Sequence, residues 1–360
     1  MTRIRAAVLS AGGWSLTSHI PTLQADPFVD IVAVTSPESR VREDLATRVN
    51  RTRILSDWQE ALHARPDIVI VSSPPAGHEP MVTAALRAGA HVLVEKPFAR
   101  DAASARRMHR TALETGRALL TGFGWPASPI FAAARSRVAD GTLGPVEQVV
   151  VHLAVNIRGL LTNAPGQAAT AGLARSGGSS YTDPSVSAGG TLAVSMSHQI
   201  GMVCWLTGRR IESVAAQTFP SGARADLHAS MVVGLTGGAH GCLSSAATHP
   251  DRTEPGWSLS AYGPNAQLSL DTTRKEFRLV HADGSTEEDY AAISDYDVGA
   301  PTKALIEVAR GTAVPESLDS ALALHVCEVT DAAYASASAD GLRVPVRAVT
   351  QMTDRTEQRG

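Results

Sequence analysis

Residues 1–121 alternate short apolar runs with helix-like segments, a pattern that few folds accommodate. The apolar runs are rich in Val and Ile, and they are Ile4–Leu9, Val29–Val34, Ile68–Val71, His91–Val94 and Arg117–Thr121. The helix-like segments between them are Thr17–Gln24, Arg40–Val49, Trp58–Ala64, His78–Ala88 and Ala102–Thr115. Strands that are apolar throughout are typical of a parallel sheet covered by helices on both faces. We therefore predict an α/β domain with a parallel sheet.

The pattern changes near Gly122–Pro129. Later strand-like runs are joined by Gly, Asp or Asn, and several alternate apolar and polar residues: Val146–Val155, Ser213–Thr218, His228–Leu235, Gly241–Ala246, Trp257–Tyr262 and Gln267–Leu270. Such alternation is typical of antiparallel sheets with one face open to solvent or to a partner. An apolar helix is predicted at Thr191–Leu206 and a last helix at Ser317–Ala337. We predict a second, α+β domain with a large, open, mostly antiparallel sheet.

These changes place the domain boundaries at 1–124 for the first domain and 125–350 for the second, followed by a polar tail at 351–360. Asn163–Ser187 is rich in Gly, Ala, Ser and Thr and shows no periodicity. A stretch of that length is either a functional loop or a disordered one, and both interpretations stay open.

Composition excludes several classes of partner. The net charge is −3 and no Lys/Arg cluster occurs, which argues against nucleic acid or a membrane surface as the partner. No run reaches the roughly 18 apolar residues of a membrane span, and the N-terminal apolar run is too short for a secretion signal. We therefore expect a cytoplasmic protein. Cys204, Cys242 and Cys327 are far apart and lack zinc-ligand spacing, so we predict no metal site.

A glycine-containing loop follows the first predicted strand. Its sequence is Ser10-Ala11-Gly12-Gly13-Trp14-Ser15. Dinucleotide-binding Rossmann domains carry G-x-G-x-x-G there, so that the backbone approaches the pyrophosphate at a helix N-terminus. Only Gly12 is in register, and Ser10 and Ser15 replace the outer glycines. We predict that Ser10, Gly12, Gly13 and Trp14 bind the cofactor.

The end of the second strand bears on the choice between NAD and NADP. An acid there usually binds the ribose 2′-hydroxyl of NAD, and none occurs at Val34-Thr35-Ser36. Ser36 and Arg40 can hold a 2′-phosphate, which favours NADP. Glu38 lies between them and favours NAD, and Arg40 is also a normal solvated residue at a helix start. NADP is therefore expected, with NAD as the alternative.

Several short motifs together resemble the Gfo/Idh/MocA oxidoreductase family. The most specific is Glu95-Lys96-Pro97 at a strand end, preceded by Ala84–Val92. The other matching blocks follow in family order: Pro74-Pro75 with His78, Gly141–Gly144, Gly189–Leu192, Ser197-His198 and Trp205–Gly208. The resemblance implies a Rossmann domain followed by an open-faced α/β domain whose sheet often joins copies into homodimers or homotetramers.

The resemblance also implies hydride exchange between NAD(P) and an alcohol or ketone carbon of a sugar, cyclitol or similar polyhydroxylated small molecule. Lys96 matches the lysine that touches substrate and cofactor, and His198 matches the catalytic histidine. The remaining residues that we assign to cofactor binding from these blocks are Ser73, Pro74, His78 and Glu95.

The residues themselves agree in part with these roles. A lysine ammonium can polarise a carbonyl, and a histidine can exchange the proton of the alcohol. Lys96 follows a strand, and open α/β sheets bind ligands at the carboxyl ends of their strands. His198 lies on an apolar helix, where a packed core histidine is the ordinary interpretation.

The chain departs from the family at one position. The family commonly has an Asp four residues before the histidine, and here that residue is Val194. Ser195 is a candidate to take its place, as is Asp183 in Tyr181-Thr182-Asp183-Pro184. Asp183 is therefore included among the catalytic candidates, although an Asp before Pro is also an ordinary turn residue.

This departure leaves two other functions open. One is lyase, glycoside-cleaving or imine-reducing chemistry with the same cofactor. The other is a cofactor-binding protein without catalysis.

Overall fold

The computed structural model describes residues 3–49, 52–162, 180–249, 255–288 and 297–346. The predicted tail at 351–360 lies outside these residues, as does most of Asn163–Ser187. In the described ranges, no helix has both the length and the apolarity needed to cross a bilayer.

The first sheet has six strands, and every neighbouring pair is parallel. In chain order the strands are β1 (Ile4–Leu9), β2 (Val29–Thr35), β3 (Arg53–Leu55), β4 (Ile68–Val71), β5 (His91–Val94) and β6 (Leu119–Thr121). Their order across the sheet, β3-β2-β1-β4-β5-β6, is that of a dinucleotide-binding fold. The predicted parallel sheet is confirmed. The three-residue strand β3 is missing from the sequence interpretation because it is too short to show a pattern.

Helices connect these strands. They are α1 (Ile20–Ala25), α2 (Ser39–Arg48), α3 (Trp58–Leu62), α4 (His78–Arg87) and α5 (Ala102–Thr115). The segment predicted as Thr17–Gln24 begins as a π-helical turn at Ser15–His19 and continues as α1. α5 begins where Asp101 accepts a hydrogen bond from the Ser104 amide at 2.7 Å, and it ends at Gly116 with a φ of 61°.

The second sheet has nine strands and is antiparallel except between β7 and β10. The strands are β7 (Gln148–Ala154), β8 (Ile211–Phe219), β9 (His228–Leu235), β10 (His240–Ala246), β11 (Gly256–Tyr262), β12 (Ala266–Asp271), β13 (Glu276–His281), β14 (Thr286–Glu288) and β15 (Val344–Pro345). Alternate residues of β7, β9, β10, β11 and β12 are buried, so one face packs on the core. The open, mostly antiparallel second sheet is confirmed.

Seven further helices pack around the two sheets. They are α6 (Pro129–Ala139), α7 (Arg158–Thr162), α8 (Pro184–Ser187), α9 (Thr191–Val194), α10 (Met196–Thr207), α11 (Ala300–Ala309) and α12 (Ser320–Ser338). The single helix predicted at Thr191–Leu206 is in fact two, which meet at Ser195, where the φ of −105° departs from the usual helical value. α11 packs against β4, β5 and β6, so a late segment of the chain covers part of the first sheet.

Candidate active site

A cavity of about 490 Å³ lies between the carboxyl ends of the first sheet and the inner face of the second. Each of β1, β2, β4, β5 and β6 contributes the residue that follows it. Most of the residues predicted to bind the cofactor line this cavity: Ser10, Gly12, Gly13, Trp14, Ser36, Ser73, Pro74, Glu95 and Lys96. Such an edge is where open α/β sheets bind ligands.

The loop after β1 is shaped for a close approach of an anionic group. Ser10 adopts a left-handed backbone with a φ of 58°, and its amide donates to Thr35 Oγ1 at 2.9 Å. The helical backbone begins at Gly13, so amides of this turn point along its N-terminal end. The left-handed conformation costs a serine about 1–2 kcal/mol relative to the right-handed one. The remaining contacts of the fold offset this cost at Ser10.

The end of β2 differs from the sequence interpretation. Arg40 is exposed and is not among the residues that line the cavity, whereas Glu38 lines it. The arginine that contacts this loop is Arg42, which donates to the Ser36 carbonyl at 2.8 Å and the Pro37 carbonyl at 2.9 Å. The spacing of the residues alone did not distinguish Arg40 from Arg42. In the structure, helix α2 begins at Ser39, and Arg42 in its first turn contacts the loop.

His78 lies behind the cavity wall and does not line the cavity. Its side chain is fully enclosed, with Nε2 2.7 Å from the Ser73 carbonyl and Nδ1 3.1 Å from the Phe98 carbonyl. Burial lowers the pKa of His78 below its usual range. Its contact with Ser73, which does line the cavity, makes His78 a support for this loop; the structure gives it no direct contact with the cavity.

Glu95 is the centre of a buried polar network. Trp14 Nε1 donates to Glu95 Oε1 at 3.0 Å, and His19 Nε2 lies 3.1 Å from the same oxygen. The other ring nitrogen of His19 is 2.8 Å from Thr302 Oγ1. Burial opposes ionisation of Glu95, but His19 and Lys96 outweigh burial and lower the pKa of this carboxyl group. No sequence pattern singled out His19, because its partners are distant along the chain.

Lys96 and His198 line the same cavity, one from each domain. Burial lowers the pKa of Lys96, and the Glu95 carboxylate opposes that shift. Burial and the Lys96 ammonium lower the pKa of His198 to about 3, so its imidazole is neutral at neutral pH. The His198 ring packs between Phe123 and Trp257, with centroids 5.3 Å and 6.3 Å away. Its Nδ1 is buried without a hydrogen-bond partner among the described residues.

Ser195 and Asp183, the two residues suggested as replacements for the missing Asp, differ in their position relative to the cavity. Val194 and Ser195 both line the cavity. Asp183 does not: its carboxylate caps α8, accepting from the Ser185 amide at 3.0 Å and from the Ser185 hydroxyl at 2.8 Å. Asp183 therefore lies outside the cavity lining, and its carboxylate contacts Ser185 at a helix start.

Tyr181 is a cavity residue that the sequence interpretation missed as a candidate. Burial and the Glu95 carboxylate raise the pKa of its phenol to about 12, so the hydroxyl is neutral. Sequence alone gives no reason to single out a tyrosine in an aperiodic loop. Within the described ranges, no three His, Cys, Asp or Glu side chains come together as a metal site.

Comparison with known proteins places this architecture among two-domain proteins built on a Rossmann fold that binds NAD. The N-terminal model of the Gfo/Idh/MocA oxidoreductase family, described as an NAD-binding Rossmann fold, matches residues 4–123. The C-terminal domain model of the same family matches residues 131–269. The chain belongs to the Gfo/Idh/MocA family of oxidoreductases, which confirms the resemblance seen in its motifs.

Two curated relatives each match about two fifths of the chain. D-glucoside 3-dehydrogenase of Escherichia coli (strain K12) is 31% identical over 144 residues, covering 40% of this chain and 41% of that protein. A dTDP-3,4-didehydro-2,6-dideoxy-alpha-D-glucose 3-reductase of Streptomyces antibioticus is 31% identical over 149 residues, covering 41% and 45%. The chain thus matches only about two fifths of the length of the curated relatives.

Solved structures match almost the whole chain. GenD2 from gentamicin A biosynthesis, in complex with NAD, is 25% identical with a TM-score of 0.77 and covers 97% of each chain. Levoglucosan dehydrogenase, in complex with NADH and levoglucosan, is 18% identical with a TM-score of 0.80, covering 96% of this chain and 100% of that one. The latter similarity shows the shared fold.

Proposed function

We propose that this protein interconverts an alcohol and a ketone on a sugar, cyclitol or similar small molecule, with a nicotinamide dinucleotide as its redox partner. The observation that carries the proposal is the convergence of Lys96 and His198 in one cavity beside the loop at Gly12. Relatives named as D-glucoside, inositol and levoglucosan dehydrogenases support the substrate class.

The residues present fit a dinucleotide. The turn at Gly12 and Gly13 offers backbone amides at a helix N-terminus, and Ser10 gives that turn its left-handed start. When bound, the nicotinamide accepts or delivers the hydride. Pro74 and Trp14 line the cavity on the two sides of this turn and can hold the planar ring systems.

Lys96 is the better candidate for the group that exchanges the proton. His198, with a pKa of about 3, is almost never protonated at neutral pH and cannot serve as the acid in the reduction of a ketone. The Lys96 ammonium is a stronger acid than an ordinary lysine, because burial lowers its pKa. It donates the proton to the developing alkoxide, and the neutral His198 ring makes a hydrogen bond that orients the same oxygen.

The test is turnover of two variants. Lys96→Ala should fall by about 10²–10⁴-fold, the scale of losing a positioned proton-transfer group, and His198→Ala should fall by about 10²–10³-fold, the scale of losing one hydrogen bond to the developing alkoxide. Lys303→Ala and His281→Ala, at exposed positions outside the cavity, are the matched controls. In the wild type, kcat/KM for alcohol oxidation should rise with pH as Lys96 loses its proton, with an apparent pKa below 10.5. Near-normal turnover in both active-site variants would refute the proposal.

We further propose NAD rather than NADP as the preferred cofactor, which revises the sequence interpretation. Glu38 lines the cavity after β2. Of the two residues that favoured NADP, Ser36 lines the cavity, but the cation Arg40 does not. A carboxylate there accepts hydrogen bonds from ribose hydroxyls and repels a 2′-phosphate. The ratio of kcat/KM for NAD to that for NADP should exceed about 10 and should fall in Glu38→Gln. A wild-type ratio below one would contradict the choice of NAD.

A further inference from the structure

The two walls of the cavity differ in polarity. Among the described residues of its lining, those that carry a formal charge, Glu38, Glu95 and Lys96, belong to the first domain. On the second domain, the described polar groups are Ser180, Tyr181, Ser195 and His198, which are neutral hydroxyls and a neutral imidazole. The rest of that wall is mainly apolar, formed by Leu153, Val155, Ile157, Leu160, Val194 and Trp257.

Packing fixes the apolar part of this wall in place. Val194 and Ile157 belong to a hydrophobic cluster of their own, with Leu161, Leu227 and Ala247 behind them and Val155 and Leu160 packed against it. Leu153 lies on β7 and Trp257 on β11, both facing the core of the second sheet. The aliphatic side chains of this wall have no polar atoms, and packing holds them in place. The ligand must therefore match an apolar surface.

A fully hydroxylated ring would match this wall poorly. A hydroxyl group that leaves water and finds no hydrogen-bond partner loses free energy, whereas a hydrogen or a methyl group at the same place gains from burial. Polar partners for a substrate are available at Lys96, His198, Ser195 and Tyr181 only on part of the cavity surface. The position where the family commonly has a carboxylate is filled here by the isopropyl group of Val194.

We propose that the substrate of this site is an uncharged ring alcohol, or its ketone, that lacks hydroxyl groups on one edge. A deoxy sugar, a deoxycyclitol or a glycoside with an alkyl or aryl group has this chemistry. Its remaining hydroxyl groups face Lys96 and His198, and its deoxygenated or alkylated edge packs on Val155, Leu160 and Val194. This inference rests on the proposed alcohol–ketone activity and adds the polarity of the substrate to it.

The direct test compares matched pairs of alcohols with the wild-type protein and NAD or NADP. Suitable pairs are D-glucose with 6-deoxy-D-glucose, myo-inositol with a monodeoxyinositol, and methyl with phenyl β-D-glucoside. In the pairs that turn over, kcat/KM should favour the deoxygenated or arylated member by about 10- to 100-fold, the range that an apolar pocket achieves against an added hydroxyl.

Two variants test whether the wall sets this preference. Val155→Thr replaces a methyl group by a hydroxyl of nearly the same size, and it should lower the preference by about 5- to 10-fold. Val194→Asp places a carboxylate where the family commonly has one, and it should favour the fully hydroxylated members. Val138→Thr is the matched control, because Val138 is a partly buried valine on α6 that does not line the cavity.

The outcomes separate this inference from the activity on which it rests. Turnover with higher kcat/KM for the fully hydroxylated members would overturn the inference and leave the alcohol–ketone activity intact. An unchanged preference in Val155→Thr, measured on protein whose thermal unfolding matches that of Val138→Thr, would also overturn it. Tight binding of NAD without turnover of any pair would overturn the proposed activity, and this inference with it.

Discussion

Glu95 connects the loop after β1, Lys96 and, through His19, helix α11. Its carboxylate accepts from Trp14, lies 3.1 Å from His19 and accepts from the Lys96 amide at 3.2 Å. Gly122 faces this carboxylate so closely that a Cβ there would lie 2.7 Å from Oε1. The residue is therefore held from several sides, and each partner removed leaves a buried charge less well compensated.

We predict that His19→Leu destabilises the protein by about 2–3 kcal/mol, the usual scale for a lost hydrogen bond to a buried charged group. His19 is only 1% exposed, and its removal leaves both Glu95 and Thr302 without this partner. Urea unfolding measures the loss. The matched control is His281→Leu, whose 2.8 Å contact with Glu287 is exposed and should contribute less than about 1 kcal/mol.

The loss of stability in His19→Leu should depend on pH, and the direction follows from the pKa of Glu95. The folded-state pKa of Glu95 lies below its ordinary value of 4.5, so its ionised form stabilises the fold above that pH. This stabilisation decreases as the pH falls through 4.5 and below. The difference in unfolding free energy between wild type and His19→Leu should therefore be largest near neutral pH. A difference that grows on acidification would contradict this account of Glu95.

At the scale of elements, the sequence was sufficient to predict a strand or a helix where the pattern of apolar residues was local and extended over the whole element. β1, β2, β4 and β5 were found because runs of Val and Ile occur in few other settings. α6 and α11 were not predicted, although each has a proline in its first turn, which is typical of a helix start. The break at Ser195 was missed because α9 and α10 together show the apolar pattern of one helix, and only tertiary contacts interrupt it.

The residues of the candidate site were likewise predictable only where a local motif marks them. Lys96 follows a recognisable strand and His198 follows a recognisable glycine pair, so their shared cavity could be expected from motifs. His19, Arg42 and Tyr181 could not, because their importance lies in contacts across the fold, such as the pairing of Arg42 with the loop after β2. The position of Asp183 could not be predicted, because an Asp that caps a short helix has the same sequence signature as an Asp near a substrate.

At the scale of the whole molecule, α12 ties the two sheets together. Glu328, 5% exposed at its side chain, is 2.7 Å from Arg106 on α5 and 3.4 Å from Arg210 just before β8. Burial opposes its ionisation, but His325 and Arg106 prevail and lower the pKa of Glu328. The boundary predicted at residue 124 thus separates two sheets, while α11 and α12 from the C-terminal part of the chain pack on the first sheet and its helices.

The outer face of the second sheet carries an uncharged row of side chains. Paired positions across β8, β9, β10, β7 and β11 place Ala215, Val232, Cys242, Val150 and Ser260 side by side. Val232 is 53% exposed and Val150 is 37% exposed, so the described residues leave this apolar centre uncovered. We propose that a second copy of the chain packs on this face, because an uncharged apolar patch at the centre of a broad sheet marks an interface.

The proposal predicts that Val232→Glu disrupts assembly, since a twofold contact through this face brings the new carboxylates of both copies into a desolvated interface. Light scattering coupled to size exclusion, at micromolar protein, should show a dimer or tetramer for the wild type and a monomer for Val232→Glu. Leu113→Glu is the matched control, because Leu113 is 69% exposed on α5, away from this sheet, and should leave the mass unchanged. Wild-type protein that remains monomeric, or a Val232→Glu variant that still assembles, would exclude this face as the contact.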